Sequence, residues 1–255
     1  MAFIRKFIQI AFSIYGFIVF ILLLFLVFPF VIIASFFGKI QGGNIIYRIC
    51  TFWADAAMFF WGMHHKNIYE APHSNLHPVV FVFNHISYMD IPVLLKAFRK
   101  QHIRVLGKAE MARVPVFGFI YGKAAILVDR SSTKARAKSV TELTSILKKN
   151  ISVVIAPEGT FNLSSMPLKE FYDGAFKIAI ETQTPVKPVV FLDTYDRLNY
   201  KTIFSLSPGR SRAVFLEEIN VKGLTGEDIL LLKNKAYQVM EEALIRYKAS
   251  WIKYD

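Results

Sequence analysis

The longest hydrophobic stretch comes first: residues 7–38 carry no charged side chain, with Arg5 and Lys6 before them and Lys39 after. A helix needs about 20 apolar residues to cross a bilayer, so this run is long enough to anchor the chain. Pro29 lies inside it, flanked by Phe28 and Phe30, and is expected to kink or break the helix there. A secretory signal has an apolar region of about 7–15 residues that ends at small residues. Here the run is longer and ends on bulky Phe36 and Phe37, so an uncleaved anchor is expected, spanning or re-entrant. Residues 44–63 hold only Arg48 and Asp55 as charges, with Trp53 and Trp61 among apolar neighbours. That pattern predicts a second helix, at the membrane interface or packed on the anchor. The polar, proline-containing residues 64–78 then divide the chain into an anchoring unit, 1–63, and a second unit, 64–255.

In the second unit short apolar runs alternate with helical patterns. Residues 79–83, 102–106, 124–128, 151–156, 186–192 and 212–215 read as strands, being short, apolar and rich in β-branched or aromatic residues. Helices are predicted from Asp90 to about residue 100, from Ser131-Ser132 as a cap to residue 149, and over 172–181. Thr225 and Asp228 have capping-box spacing and open a last amphipathic helix to about Trp251. This order predicts an α/β fold with a mixed, largely parallel sheet flanked by helices, behind N-terminal hydrophobic membrane helices.

Composition sharpens the picture. Of 255 residues 54% are hydrophobic and the formal net charge is +12, which calls for an anionic partner. Beside an anchor that partner is expected to be a membrane surface, and the basic helix bearing Lys134, Arg136, Lys138, Lys148 and Lys149 is read as meeting lipid or an acidic carrier protein rather than nucleic acid. The basic remainder of the chain points to a catalytic unit on the cytoplasmic face, the inner membrane in a bacterium. Cys50 is the only cysteine, so no intramolecular disulfide forms. His64, His65, His73 and His77 lack the spacing of a metal site. No Gly-x-Ser-x-Gly elbow surrounds Ser87, which argues against a serine hydrolase.

Three clusters can carry chemistry. Asn84-His-Ile-Ser-Tyr-Met-Asp90 follows the 79–83 strand, and α/β folds expose functional groups beyond the carboxyl ends of strands. Five helical steps rotate by about 140°, so His85 and Asp90 meet only if His85 lies in the turn and Asp90 reaches back from the first helical turn. Such a pair is a general base with its orienter; a polar loop histidine beside a capping aspartate reads the same spacing. Ala156-Pro-Glu-Gly-Thr160 follows another strand and offers Glu158, Gly159 and Thr160 as a polar lip. Residues 107–118 place Lys108 and Arg113 near a turn shaped by proline and glycine.

In chain order these clusters resemble the motifs of the glycerolipid acyltransferase family, lysophosphatidate acyltransferase type. Asn84, His85 and Asp90 match its Asn-His-x4-Asp motif, and Lys108, Glu110, Pro115 and Gly118 its second block. Asp129-Arg130 matches a strand ending in Asp-Arg, and residues 157–160 match Pro-Glu-Gly-Thr. Gly-Ala-Phe stands at 174–176, and 184–188 resembles the Val-Pro-x-x-Pro block. The resemblance covers about residues 75–195. It implies an O-acyltransferase in which His85 is the base, Asp90 orients it, and Asn84, Lys108, Arg130, Glu158, Gly159 and Thr160 bind substrate. It implies an acyl thioester donor, acyl carrier protein or coenzyme A, a lysolipid acceptor, and no metal or redox cofactor. Phe161 departs from the pattern, standing where the family has an arginine thought to hold the acceptor phosphate; Asp173 replaces a basic residue. These departures keep open an N-acyl amino-acid lipid as acceptor, of the ornithine- or glycine-lipid type, beside 1-acylglycerol-3-phosphate. A non-catalytic membrane adaptor is the remaining alternative.

Overall fold

A computed structural model of the protein describes residues 2–73, 76–128 and 133–253, with side chains described for 3–73, 76–128 and 138–253. Two long helices, α1 (Ala2–Ser35) and α2 (Gly43–Phe60), are joined through a π-helical turn at Gly38–Gly42. Pro29 does not break α1. The helix gives up one backbone bond there, and Val27 and Val31 on either side are both buried in the core that α1 shares with α2.

The chain continues as β1 (Met63–Tyr69), β2 (Val80–Phe83), α3 (Asp90–Ala97), β3 (Ile103–Lys108), α4 (Phe117–Ala124) and β4 (Ala125–Val128). It ends with α5 (Thr133–Leu147), β5 (Ser152–Ile155), α6 (Gly174–Thr182), β6 (Val186–Phe191), the one-turn α7 (Thr194–Arg197), β7 (Gly209–Phe215) and α8 (Ile229–Arg246). The strands make one seven-stranded sheet in the order β1-β7-β6-β2-β5-β3-β4. The β6–β7 ladder is antiparallel and the others are parallel, so the sheet is mixed and largely parallel.

Strands covered on both faces read as unbroken apolar runs, and every residue of β2, β5 and β6 is buried. Strand alternation sends Val80 and Val82 into a core built with α5, α6 and α8. Phe81 and Phe83 enter a second core built with α1, α2 and α3. The sheet is therefore the middle of three layers.

Three elements lie where the sequence pattern predicts none: β1, α4 and the one-turn α7. β1 falls in the polar 64–78 stretch and pairs with β7 from Met63↔Gly209 to Tyr69↔Phe215; as an edge strand it has no need of an apolar run. α4 follows a tight turn in which Phe117 N donates to Pro115 O across Val116, whose φ is +62°, a strained conformation for a β-branched residue. The capping box forms, with Thr225 N donating to Asp228 Oδ2 at 2.8 Å. α8 stops at Arg246 instead of reaching Trp251, because Lys248 turns to φ +53° and folds Trp251 back into the core. The cap at Ser131-Ser132 lies outside the described residues.

α1 is long and apolar enough to cross a membrane by length and composition. It is nonetheless held to the rest of the chain near both ends. Leu206 N donates to Ser13 Oγ at 3.1 Å and Trp61 Nε1 donates to Gly16 O at 3.0 Å. At the far end Val31 and Ala34 are buried and the Phe28 ring meets Phe119 edge-on. Its other face exposes Phe7, Phe17, Leu22, Phe25 and Phe30.

Phe81 packs edge-on against Phe98 at 4.7 Å and Phe215 at 6.3 Å. Phe81→Ala is expected to cost about 3–5 kcal/mol in urea unfolding followed in mild detergent. A loss under about 1 kcal/mol would contradict this core.

Candidate active site

β2 and β5 are parallel neighbours, so both release their loops at the same end of the sheet. His85 is the second residue past β2, and Asp90 is the first residue of α3. The helix begins there without strain because Pro92 falls in its first turn, where a missing N–H costs nothing. From that position Asp90 reaches back over the turn. Its Oδ2 accepts from His85 Nδ1 at 2.8 Å, Ile86 N at 2.8 Å and Ser87 N at 2.9 Å. The two residues thus meet in the only arrangement their spacing permits.

A carboxylate on Nδ1 places the ring proton there and leaves the lone pair on Nε2. The pair is also graded in depth: the side chain of Asp90 is 1% exposed and that of His85 is 21% exposed. Asp90 is sealed and the His85 ring is accessible.

Glu158 holds the histidine's backbone. Its Oε1 accepts from His85 N at 2.8 Å and its Oε2 from Lys169 N at 2.8 Å, and the residue is 0% exposed. Burial pushes its carboxyl up to about 7, although the two backbone N–H groups oppose that shift. Asn162 N donates to His85 O at 2.8 Å, so His85 is gripped at both ends of its own backbone by the loop after β5. Gly159 is needed at this bend: its φ is +71°, and Thr160 N donates to Glu158 O across it at 2.8 Å.

The other sequence-chosen residues fall in distinct places. Asn84 is buried, and its amide is taken up by the main chain of Phe191, with Nδ2 donating to Phe191 O at 3.1 Å and Oδ1 accepting from Phe191 N at 2.7 Å. It ties the end of β2 to the end of β6. Lys108 closes β3, at the same end of the sheet as His85 and two strands away, about 10 Å by strand spacing. Arg130 lies outside the described residues. Thr160 Oγ1 accepts from Lys169 Nζ at 2.9 Å. Lys169 was not singled out by sequence, since it sits eleven positions past Glu158 with no periodic link to it. Phe161 meets the His85 ring edge-on at 4.4 Å and the Tyr88 ring at 4.9 Å. Asp173 is paired with Lys233 at 2.7 Å. Beside α3, a cavity of about 110 Å³ opens among Leu24, Val27, Tyr47, Trp53, Ile91 and Leu94.

A histidine–aspartate pair thus stands beyond the carboxyl ends of the parallel strands, with an apolar cavity beside α3. A family model described as Acyltransferase matches residues 62–192, just over half of the chain. The chain belongs to this family and is an acyltransferase. It is 27% identical over 169 residues to the 1-acyl-sn-glycerol-3-phosphate acyltransferase beta of Homo sapiens, covering 66% of this chain and 60% of that one. It is 26% identical over 167 residues to the 1-acyl-sn-glycerol-3-phosphate acyltransferase of Haemophilus influenzae, covering 65% and 68%. The chain thus spans about 60–70% of the length of such curated relatives. The crystal structure of the 1-acyl-sn-glycerophosphate acyltransferase PlsC from Thermotoga maritima shares the fold, with a TM-score of 0.72, 21% identity, and coverage of 99% of this chain and 100% of that one.

Glu158 sets a pH dependence. Its carboxyl titrates at about 7 when folded, against 4.5 for an unperturbed glutamate. Between those values the native state holds a proton that the unfolded chain has lost. The stability this contributes is complete below about pH 4.5 and is lost as pH rises through 7. The unfolding free energy of the wild type minus that of Glu158→Gln should therefore fall by about 2–3 kcal/mol from pH 4.5 to 7.5. A difference that stays flat across this range would refute the assignment.

Proposed function

We propose that the protein moves a fatty acyl group from a thioester, carried by acyl carrier protein or coenzyme A, to the free hydroxyl of 1-acylglycerol-3-phosphate in phospholipid synthesis. The observation that carries this reading is the His85 Nδ1–Asp90 Oδ2 bond at 2.8 Å, which presents a basic Nε2 on an accessible ring. Nε2 takes the proton of the acceptor hydroxyl as its oxygen attacks the thioester carbonyl. The C–O bond forms, the C–S bond breaks, and the imidazolium returns its proton to the departing thiolate. Asp90 stabilises the imidazolium between these steps. His85 and Asp90 are the catalytic residues. Asn84 and Glu158, both buried and bonded to main chain, are positioning residues rather than substrate contacts. Gly159, Thr160 and Lys108 remain in the acceptor lip, with Arg130 assigned there by motif alone.

Residues 1–63 form the membrane-facing unit and 64–255 the catalytic unit. The tethers at Ser13, Gly16, Val31 and Ala34 favour α1 lying in the plane of the membrane, its exposed phenylalanines in the lipid, over a helix that leaves the domain to span it. The net charge of +12 supports a catalytic unit on the cytoplasmic face.

Phe161 supports a second reading of the acceptor. Its ring occupies the place beside His85 where a guanidinium would grip phosphate in two bonds. An acceptor with a less charged head, such as an N-acyl amino-acid lipid bearing a hydroxyl, suits an aromatic wall. For the phosphate reading Lys169, whose Nζ stands on Thr160 Oγ1 at 2.9 Å, joins Lys108 and Arg130 as a cation for the acceptor.

His85→Ala should abolish transfer in an assay with acyl carrier protein thioester and lysophosphatidate, with unchanged circular dichroism and vesicle binding. Turnover retained in that variant would sink the mechanism. Lys169→Ala should raise KM for lysophosphatidate about tenfold with little change in kcat, and adding Phe161→Arg should recover part of that loss. An unaltered KM would transfer the argument to the amino-acid lipid acceptor.

A further inference from the structure

Away from His85, a cavity of about 590 Å³ runs between the turn joining α1 to α2, the edge strand β4, and the flanks of α4 and α5. Lys39, Arg104, Lys123 and Lys138 line it, against one carboxylate, Glu142. Glu142 is already paired with Lys39 at 2.5 Å. Lys123 lies over the ring of Phe119 at 5.6 Å. Among the described residues neither Lys123 nor Lys138 has a carboxylate partner.

Arg104 is the unusual member. It is 4% exposed, and buried cations in proteins are ordinarily paired with an anion. Its guanidinium instead donates to Ile103 O at 2.9 Å, Ile40 O at 3.1 Å and Asn44 Oδ1 at 2.9 Å, all neutral acceptors. Nearby Tyr47 does not balance it, because burial holds its hydroxyl in the neutral form. The start of α2 is shaped to admit the group: a Cβ on Gly43 would sit 2.5 Å from the Arg104 terminal nitrogen. The fold therefore gives up a side chain to place an uncompensated charge against an open cavity.

We propose that this cavity is a binding site for a phosphate ester, supplied by the headgroup of an anionic membrane phospholipid. A planar guanidinium with two ammonium groups around it is the chemistry that recognises a phosphate. The membrane source follows from position. Phe36 and Phe37 are exposed and directly precede Gly38 and Lys39 of the cavity wall, so the apolar end of α1 and the cationic cavity are adjacent, as acyl chains and headgroup are in a lipid. Arg104 enters from the start of β3, at the end of the sheet opposite His85, and the cavity runs from there along the sheet edge to Ala109, the neighbour of Lys108. A lipid held there would fix the α1–α2 turn against the sheet edge and bind the enzyme more tightly to anionic surfaces.

The test titrates the full-length protein in detergent with dihexanoyl-phosphatidylglycerol, dihexanoyl-phosphatidylcholine, inorganic phosphate and adenosine 3',5'-bisphosphate, read by calorimetry. Arg104→Gln removes a buried group and can fail to fold, so the deciding variant is Lys123→Glu with Lys138→Glu, both at exposed positions. Phosphatidylglycerol is expected to bind the wild type, with affinity reduced about tenfold or more in the double variant. Equal affinity of wild type and variant for phosphatidylglycerol would overturn the site. Variant-sensitive binding of the bisphosphate in preference to the lipid would assign the cavity to a nucleotide-linked donor and overturn the lipid source. Inorganic phosphate binding as tightly as phosphatidylglycerol would do the same.

Discussion

The carboxylate of Glu158 is the joint that the candidate active site depends on. It belongs to the loop after β5 yet spends one oxygen on the backbone of His85, which belongs to the loop after β2. Its other oxygen holds Lys169 N. Burying a carboxyl is expensive unless it is bonded, and the rise of this one to about 7 records that expense. What the burial secures is position. Parallel pairing of β2 with β5 brings two loops to one end of the sheet, but pairing alone leaves their relative height free. The Glu158 bridge and the return bond from Asn162 N to His85 O remove that freedom. A base must sit within hydrogen-bond reach of its target proton, so this tolerance decides whether the histidine is useful.

Two buried carboxylates therefore divide the work by which part of His85 they hold. Asp90 fixes the ring and its tautomer, and Glu158 fixes the main chain. Asp90 also accepts from Ile86 N and Ser87 N, so the turn that carries His85 and the first turn of α3 are closed by one oxygen. Any displacement of α3 would move the ring with it. α3 is in turn packed through Val93 and Leu94 into the core shared with α1 and α2. The geometry of the candidate site is thus coupled through packing to the helices that expose the apolar face.

How much of this the sequence displays depends on burial. β2, β5 and β6 are covered on both faces and announce themselves as apolar runs. β1 is an edge strand whose polar residues are satisfied by β7, by one another, by the end of α3 and by solvent, so its segment reads as a linker. α4 begins after a strained turn at Val116 within a run containing Pro115 and Gly118, where propensity argues against a helix. The His85–Asp90 pair is legible because its partners lie five positions apart and a strand precedes them. The roles of Asn84 and Glu158 are not, because each bonds to backbone on a distant segment, Phe191 and His85, and backbone partners leave no mark in sequence. Lys169 is hidden because it sits eleven positions past Glu158 with no periodic link to it.

The placement of α1 bears on how a lipid would reach the ring. The cavity among Leu24, Val27, Tyr47, Trp53, Ile91 and Leu94 is bounded by α1, α2 and α3 together, and Ile91 is the residue next to Asp90. On the proposed reading, an acyl chain entering from a membrane against the outer face of α1 and α2 would approach His85 and Asp90 without crossing the polar rim of the sheet. That route exists only if α1 stays against the domain. If the helix left to span the bilayer, Leu24 and Val27 would withdraw and the cavity would lose one wall. The tethers at Ser13 and Gly16 near one end and the buried Val31 and Ala34 at the other keep that wall in place. On the proposed reading, the same contacts that hold the anchor in the membrane plane also shape the space beside His85.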